Sequence, residues 1–257
     1  MIPRALVVAL ALLPAVAAFA AGSGDDRVRV RTGAACERST GEPLYREVHE
    51  ERWEGGRIVG DRVTYHRPGG EVFATKWVDF RADAVAPDFE LVDSASGHRE
   101  ALERVGDALV VRYRAPDGTP ERSAMLASGA ALIADAGFDR FIERSWDRLV
   151  AGEVVVRPFL VPSRLGSVDM RIRRLHRAGD RDAEFELAID SALLRLVVPA
   201  IRVRYDASNR RLLRYEGISN LRAGDGTNLD VTIAFSPGRA AGWSCRLPAG
   251  DGIRSTR

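Results

Sequence analysis

Apolar and polar residues alternate with a period of two along most of the chain, in short runs broken by turn residues, and this pattern predicts antiparallel strands. Leu44 to Trp53 and Arg57 to His66 flank Glu54-Gly55-Gly56, and Arg67-Pro68-Gly69-Gly70 leads into Glu71 to Phe80, which reads as two consecutive hairpins. Pro87 to Val92, His98 to Val105, Ala108 to Arg114 and Thr119 to Leu126 continue a meander of about seven strands, with Ser96-Gly97, Gly106-Asp107 and Pro116-Asp117-Gly118 as turns. Later in the chain, Val154 to Val161 is apolar almost throughout and reads as a strand buried on both faces, with Pro158 and Pro162 marking a bend or edge. Val168 to Arg177, Arg181 to Asp190, Ile201 to Tyr205, Arg210 to Glu216 and Leu229 to Phe235 complete a second set. The last of these alternates cleanly, with Leu229, Val231, Ile233 and Phe235 on one face and Asp230, Thr232 and Ala234 on the other.

One stretch has a different period. Between Asp135 and Gly152, Phe138, Phe141, Ile142, Ser145, Trp146 and Leu149 recur at three- and four-residue steps, with charged residues filling the gaps. Asp135 stands at the N-cap position and Gly152 where a left-handed C-cap residue belongs, so the spacing predicts one helix of about four turns. Its apolar stripe needs a surface to cover, and the concave side of a sheet supplies it. The expected fold is mainly β (α+β): a single curved antiparallel sheet or incomplete β-barrel of about a dozen strands, with one central amphipathic helix on its concave side. Neither a repeat nor a linker interrupts the pattern, so residues 21–257 read as one domain.

The first residues change the picture from a plain domain to an exported one. Arg4, a short apolar run from Ala5 to Leu13 and Ala18-Phe19-Ala20 have the layout of a secretory signal peptide over residues 1–20, cleaved near Ala20. That run is broken by Pro14 and is too short to span a bilayer, and no later stretch approaches the roughly 20 apolar residues required. The expectation is therefore a periplasmic or secreted protein with no transmembrane span. Cys36 follows Gly33-Ala34-Ala35 well beyond Ala20, which argues against a lipoprotein. In an oxidising compartment the lone pair Cys36 and Cys245 most simply forms a disulfide, two unpaired buried thiols being the alternative.

Charge adds little. The formal net charge is +2, with acids and bases interspersed, so no field draws the protein to nucleic acid.

Candidate chemistry is sparse. There is no Gly-x-Ser-x-Gly elbow, no Gly-rich phosphate loop, and no cofactor or metal motif. His49, His66, His98 and His176 stand singly and read as surface or strand histidines. Asp225 to Asp230 superficially suggests a calcium loop but lacks its distal Glu, so a hairpin turn is expected. Arg171, Arg173, Arg202 and Arg204 alternate, either as an anion-binding stripe or with Arg171 and Arg173 as cross-strand partners of Glu184 and Glu186. Ala192 to Val198 reads as a short helix or flap. Lys76, the single lysine, shares a face with Val72, Ala74, Val78 and Phe80. It either meets the head group of a bound amphiphile or pairs with an acid.

The segments Val78-Asp79-Phe80, Ala86-Pro87-Asp88-Phe89, Asp135-Ala136-Gly137-Phe138-Asp139 and Tyr215-Glu216-Gly217-Ile218-Ser219-Asn220 look similar to exported proteobacterial proteins of unknown function. With its leader, long meander and mid-chain helix, the chain also resembles in topology the periplasmic incomplete-barrel proteins of the LolA/LolB lipoprotein-carrier type. The shape so implied is that of a binding module for an apolar or amphiphilic, lipid-like ligand. The candidate ligand-binding residues are Lys76, Val78, Phe80, Phe138, Phe141, Ile142 and Trp146. An envelope structural or interaction protein with a filled core is the alternative, and a hydrolase ranks below both because no nucleophile is presented.

Overall fold

The computed structural model describes residues 26–127, 131–175, 182–193, 195, 198–238 and 245. The leader read over residues 1–20 and His176 lie outside them, as do Leu194, Leu196 and Val197 of the stretch Ala192 to Val198, in which Leu193 is exposed. The strands are β1 (Arg27–Glu37), β2 (Pro43–Glu54), β3 (Arg57–His66), β4 (Val72–Asp79), β5 (Asp88–Asp93), β6 (Arg99–Val105), β7 (Ala108–Arg114) and β8 (Arg122–Ala127). After the helical region come β9 (Val155–Val161), β10 (Gly166–Leu175), β11 (Asp182–Ile189), β12 (Ile201–Asp206), β13 (Leu212–Arg222) and β14 (Asn228–Pro237).

All fourteen belong to one antiparallel sheet, in the order β8-β7-β6-β5-β4-β3-β2-β1-β14-β13-β12-β11-β10-β9. Two meanders are thus joined through the first strand and the last. The hairpin turns use glycines where left-handed backbone is needed, as at Gly56 (φ 77°) between β2 and β3 and Gly226 (φ 83°) between β13 and β14. Residues Asp225 to Asp230 accordingly form a turn and the start of β14, with Asp225 accepting from the Thr227 amide.

β1 was not foreseen from the pattern. Its second half, Thr32-Gly33-Ala34-Ala35-Cys36, is small and carries little β signal, yet it pairs with β2 on one side and β14 on the other. Gly33 is needed there: a Cβ would lie 2.8 Å from both the Glu47 side chain and Ile233. Cys36 is joined to Cys245 by a disulfide with Cα atoms 6.0 Å apart. Closing that 209-residue separation contributes about 5 kcal/mol in the chain-entropy account.

The expected four-turn helix is two pieces, α1 (Gly137–Arg144) and α2 (Trp146–Val150), broken at Ser145 with φ −97° and ψ 6°. Main-chain bonds nevertheless run on through the break, from Ser145 N–H to Phe141 and from Leu149 N–H to Ser145. Asp135 is not the N-cap. That position falls to Ala136, because the Asp135 carboxylate is engaged elsewhere. Gly152 does close the run, at φ 91°, with its N–H on Leu149 and that of Glu153 on Arg148, a Schellman pattern.

The expected strand buried on both faces, β9, is instead an edge strand, with Val154 and Val156 exposed, which is where Pro158 is tolerated. The segment before α1 ties the end strand β9 to the loop between β4 and β5. Ile133 bonds Pro158 and Leu160 of β9, while the Ala134 N–H donates to Val85 in the β4–β5 loop. Arg122 of β8 also reaches the Ser163 carbonyl at 2.9 Å.

The core is divided into three clusters rather than one interior. Phe141, Ile142, Trp146 and Leu149 pack against Ile172, Phe185, Val203 and Tyr205 of β10 to β12. A second cluster holds Tyr45, Val63, Tyr65, Phe73, Val231 and Ile233, and a third Val78, Phe80, Phe89, Leu102, Val111 and Leu160. Val72, expected inside with Ala74 and Val78, is exposed, because a register shift between Tyr65 and His66 breaks the alternation at this end of β4 and turns Phe73 inward.

Trp146 makes edge contacts with Phe185 (5.5 Å between centroids) and Tyr205 (6.0 Å), whereas Arg144 faces solvent. Trp146→Ala is expected to lower the free energy of unfolding by about 3–5 kcal/mol and Arg144→Ala by under about 0.5, as read from urea midpoints. Equal losses would mean that the buried face of α1 and α2 is misassigned.

Candidate functional site

Two adjoining cavities lie between α1 and the sheet, sharing Asp135, Phe138, Tyr215, Ile218 and Asn220 as their common wall. The smaller, of about 190 Å³, carries most of the charged lining side chains and is termed the polar cavity, and the larger, of about 380 Å³, is lined mainly by apolar ones.

The polar cavity arises from an inward row on β2. Alternation puts Tyr45, Glu47, His49 and Glu51 on one side of that strand, and Gly33 on β1 leaves room for Glu47. Arg31 of β1 donates to Glu51 at 2.6 Å. His49, 7% exposed, is held between two carboxylates, Asp61 of β3 at 2.7 Å from Nδ1 and Glu47 at 3.1 Å from Nε2. Burial and the nearby Arg31 push the imidazole pKa down, but Asp61 and Glu47 outweigh them and it is raised above 6.5. Burial would raise Asp61; the His49 and Arg31 charges overcome that and hold its carboxyl low. Across the cavity, Asp139 of α1 is ion-paired with Arg140 at 2.8 Å. These strand histidines are therefore not bland: His49 is buried in an ion network and His98 is wholly buried beside Glu100.

Lys76 enters this cavity from β4 and meets an acid there. Its Nζ lies 2.8 and 3.2 Å from the two carboxylate oxygens of Asp135, which also accepts from Asn220 Nδ2 at 2.8 Å. Burial works against the ammonium, and Asp135 more than offsets it, so the Lys76 pKa is raised. Asp135 itself has φ 43°, left-handed backbone that Asp tolerates better than most residues.

The apolar cavity is walled by Phe138, Phe159, Met170, Leu187, Ile189 and Ile201, with Glu100 and Arg222 among its polar lining. Of the residues singled out from the sequence, Phe138 borders both cavities, Lys76 and Phe80 border the polar one, and Val78, Phe141, Ile142 and Trp146 are turned into core clusters. Sequence reasoning missed Glu47, Asp61, Asp135, Asn220, Glu100 and Arg222. The Glu-x-His-x-Glu spacing of β2 was a usable signal, since it puts three polar groups on one strand face. The arginine stripe resolves into ion pairs, Arg173 and Arg202 with Glu186 and Arg204 with Glu184, although Arg171 takes Asp190 instead. Among the described residues no group of three or more His, Cys, Asp or Glu is placed to hold a metal ion, and no helix is long and apolar enough to cross a membrane.

No family model matches the sequence, and no curated protein matches it. Among solved structures the chain is similar to a crystal structure described as a beta-barrel-like protein of domain of unknown function DUF1849 from Brucella abortus. The TM-score is 0.45 and the identity 11%, over 82% of this chain and 96% of that one. The reading of the site rests on its own geometry.

Two outcomes follow from the buried charges. Because the His49 pKa is raised on folding, its stabilisation is complete below about pH 6.5 and is lost as pH rises through the folded value. Asp61 is lowered, so its contribution is present above 3.8 and is lost on acidification. Unfolding free energy should therefore decline from pH 6 toward pH 9 in the parent protein, and His49→Gln should flatten that limb in urea titrations at each pH; an unchanged slope assigns it to other groups. Lys76→Met strands the Asp135 carboxylate and should cost about 3–5 kcal/mol. The double variant Lys76→Met/Asp135→Asn should recover much of that loss, as denaturant melts would record.

Proposed function

We propose that this chain is a single-domain binding module that holds an apolar or amphiphilic small molecule between the sheet and the helical pair. It acts in the periplasm or outside the cell after the leader is removed near Ala20. The observation that carries the reading is the apolar cavity of about 380 Å³ walled by Phe138, Phe159, Met170, Leu187, Ile189 and Ile201. That volume lies within the range of small-molecule sites, and a chamber of mostly aliphatic and aromatic walls with few polar groups is their usual make-up. Transfer of an aliphatic chain from water into it is favoured by the apolar area removed from solvent. The amphipathic helical pair supplies part of the chamber wall through Phe138, while Lys76, acting through Asp135 and Asn220, fixes the divide between apolar and polar cavities.

The second reading is an envelope interaction protein whose interior serves only as packing. It is favoured by the internal pairing of Arg31, His49, Lys76 and Arg140, which leaves the polar cavity with most of its charges already matched.

Delipidated protein titrated with the neutral apolar fluorophore N-phenyl-1-naphthylamine separates the two. Saturable binding is expected, and Val168→Trp, which fills the chamber from β10, should weaken it at least tenfold, equivalent to about 1.4 kcal/mol, with the thermal melt retained. Absence of saturable binding by the parent protein removes the ligand reading.

A further inference from the structure

One place in the apolar cavity is chemically unlike the rest of its wall. Arg222, at the end of β13, crosses the interior to β6 and β7, and its side chain is only 8% exposed. Its Nη1 donates to Asn228 Oδ1, and Nη2 lies 3.4 Å from the Tyr113 hydroxyl and 3.6 Å from Glu100 Oε1. Nε has no hydrogen-bond partner in the protein. Glu100, on β6 and 5% exposed at its side chain, has the complementary defect. Its Oε1 is held by His98 Nε2 at 3.2 Å, and His98 is in turn anchored through Nδ1 to the Arg114 carbonyl at 3.0 Å. Glu100 Oε2 is buried and has no partner in the protein. Arg222 and Glu100 thus both line the mainly apolar chamber, and each carries one buried polar atom, Nε and Oε2, with no partner in the protein. Leaving such groups unmatched is costly, and native proteins rarely do so without a reason.

We propose that Arg222 and Glu100 recognise the hydroxyl head of an aliphatic ligand, which accepts from Arg222 Nε and donates to Glu100 Oε2. This rests on the chamber reading above and names its ligand class: a neutral, alcohol-bearing amphiphile. The two orphan atoms select among head groups. A carboxylate satisfies Nε but turns a like charge toward Oε2, and an ammonium does the reverse. An ether accepts but has nothing to donate. Only a group with both a donor and an acceptor on one small head matches the pair, and sites built this way discriminate strongly against analogues that lack the hydrogen. Lys76 is not available for this task, since Asp135 already holds it.

The test is competition for bound N-phenyl-1-naphthylamine by 1-decanol, decyl methyl ether and decanoate, with the parent protein, Glu100→Gln and Arg222→Lys. Decanol is expected to displace the fluorophore at concentrations at least tenfold below those of the ether and of decanoate. Both substitutions should erase that preference, with the thermal melt of each variant retained as the check that the protein stays folded. Arg222→Lys keeps the positive charge but removes Nε, so a preference that survives it overturns the assignment. Equal competition by all three ligands in the parent protein leaves the chamber standing and overturns the head-group assignment, the orphan atoms then being met by water. Tightest binding of decanoate overturns it in favour of an anion site. Failure of the fluorophore itself to bind removes the chamber reading and this inference with it.

Discussion

The contact on which the arrangement depends is the one made by Asp135. A residue in left-handed backbone, costing about 1–2 kcal/mol for a side chain with a Cβ, ends the segment that ties β9 to the β4–β5 loop and begins the turn into α1. Lys76 from β4 and Asn220 from β13 both bind its carboxylate, so three parts of the chain distant in sequence meet at one side chain. The path into the helix follows from that point. Gly137, two residues on, comes so close to Val85 that a Cβ would stand 1.9 Å from its carbonyl oxygen. Phe138 is thereby delivered to the boundary between the cavities, and Trp146 to its aromatic partners on β11 and β12.

An interior with this many charges would be a liability in a simple sandwich. Here the cost of desolvation is met by close pairing: His49 lies between two carboxylates, Arg31 is on Glu51, and Arg140 is on Asp139. The charged groups gather on β1 to β4 and on α1, while the apolar chamber leans on β9 to β13. Polar and apolar halves of the interior are thus assigned to different stretches of strand, with Asp135 and Asn220 between them.

Much of the strand pattern was legible in the sequence, because Gly-rich turns and period-two alternation are local signals. In β14 Val231 and Ile233 are buried where alternation placed them, although Thr232, expected on the outward face, is buried as well. β1 was not legible, since its second half is made of small residues whose role is to be approached closely by Glu47 and Ile233. The break at Ser145 escaped notice because the apolar stripe continues through it. The polar site was hidden for a related reason: β2 offers no apolar face, so no side of it announces itself as inward. Arg222 and Glu100 look like ordinary surface charges in sequence. Only the curvature of the sheet, which carries β13 across to β6, turns them into buried neighbours.

The order of the strands has a consequence for how such a chain is assembled. β1 and β14 are hydrogen-bonded neighbours at the middle of the sheet, yet they are the first and the last of the described strands. A polypeptide made from its N-terminus can zip β1 through β8 as it appears, but the far side of β1 stays an open edge until almost the whole chain has followed. Residues 31–37, which later meet 231–237, spend that interval as an unpaired template. The arginines at 27 and 29, alternating along the exposed start of this strand, lie where charge discourages the wrong partner from docking during the wait.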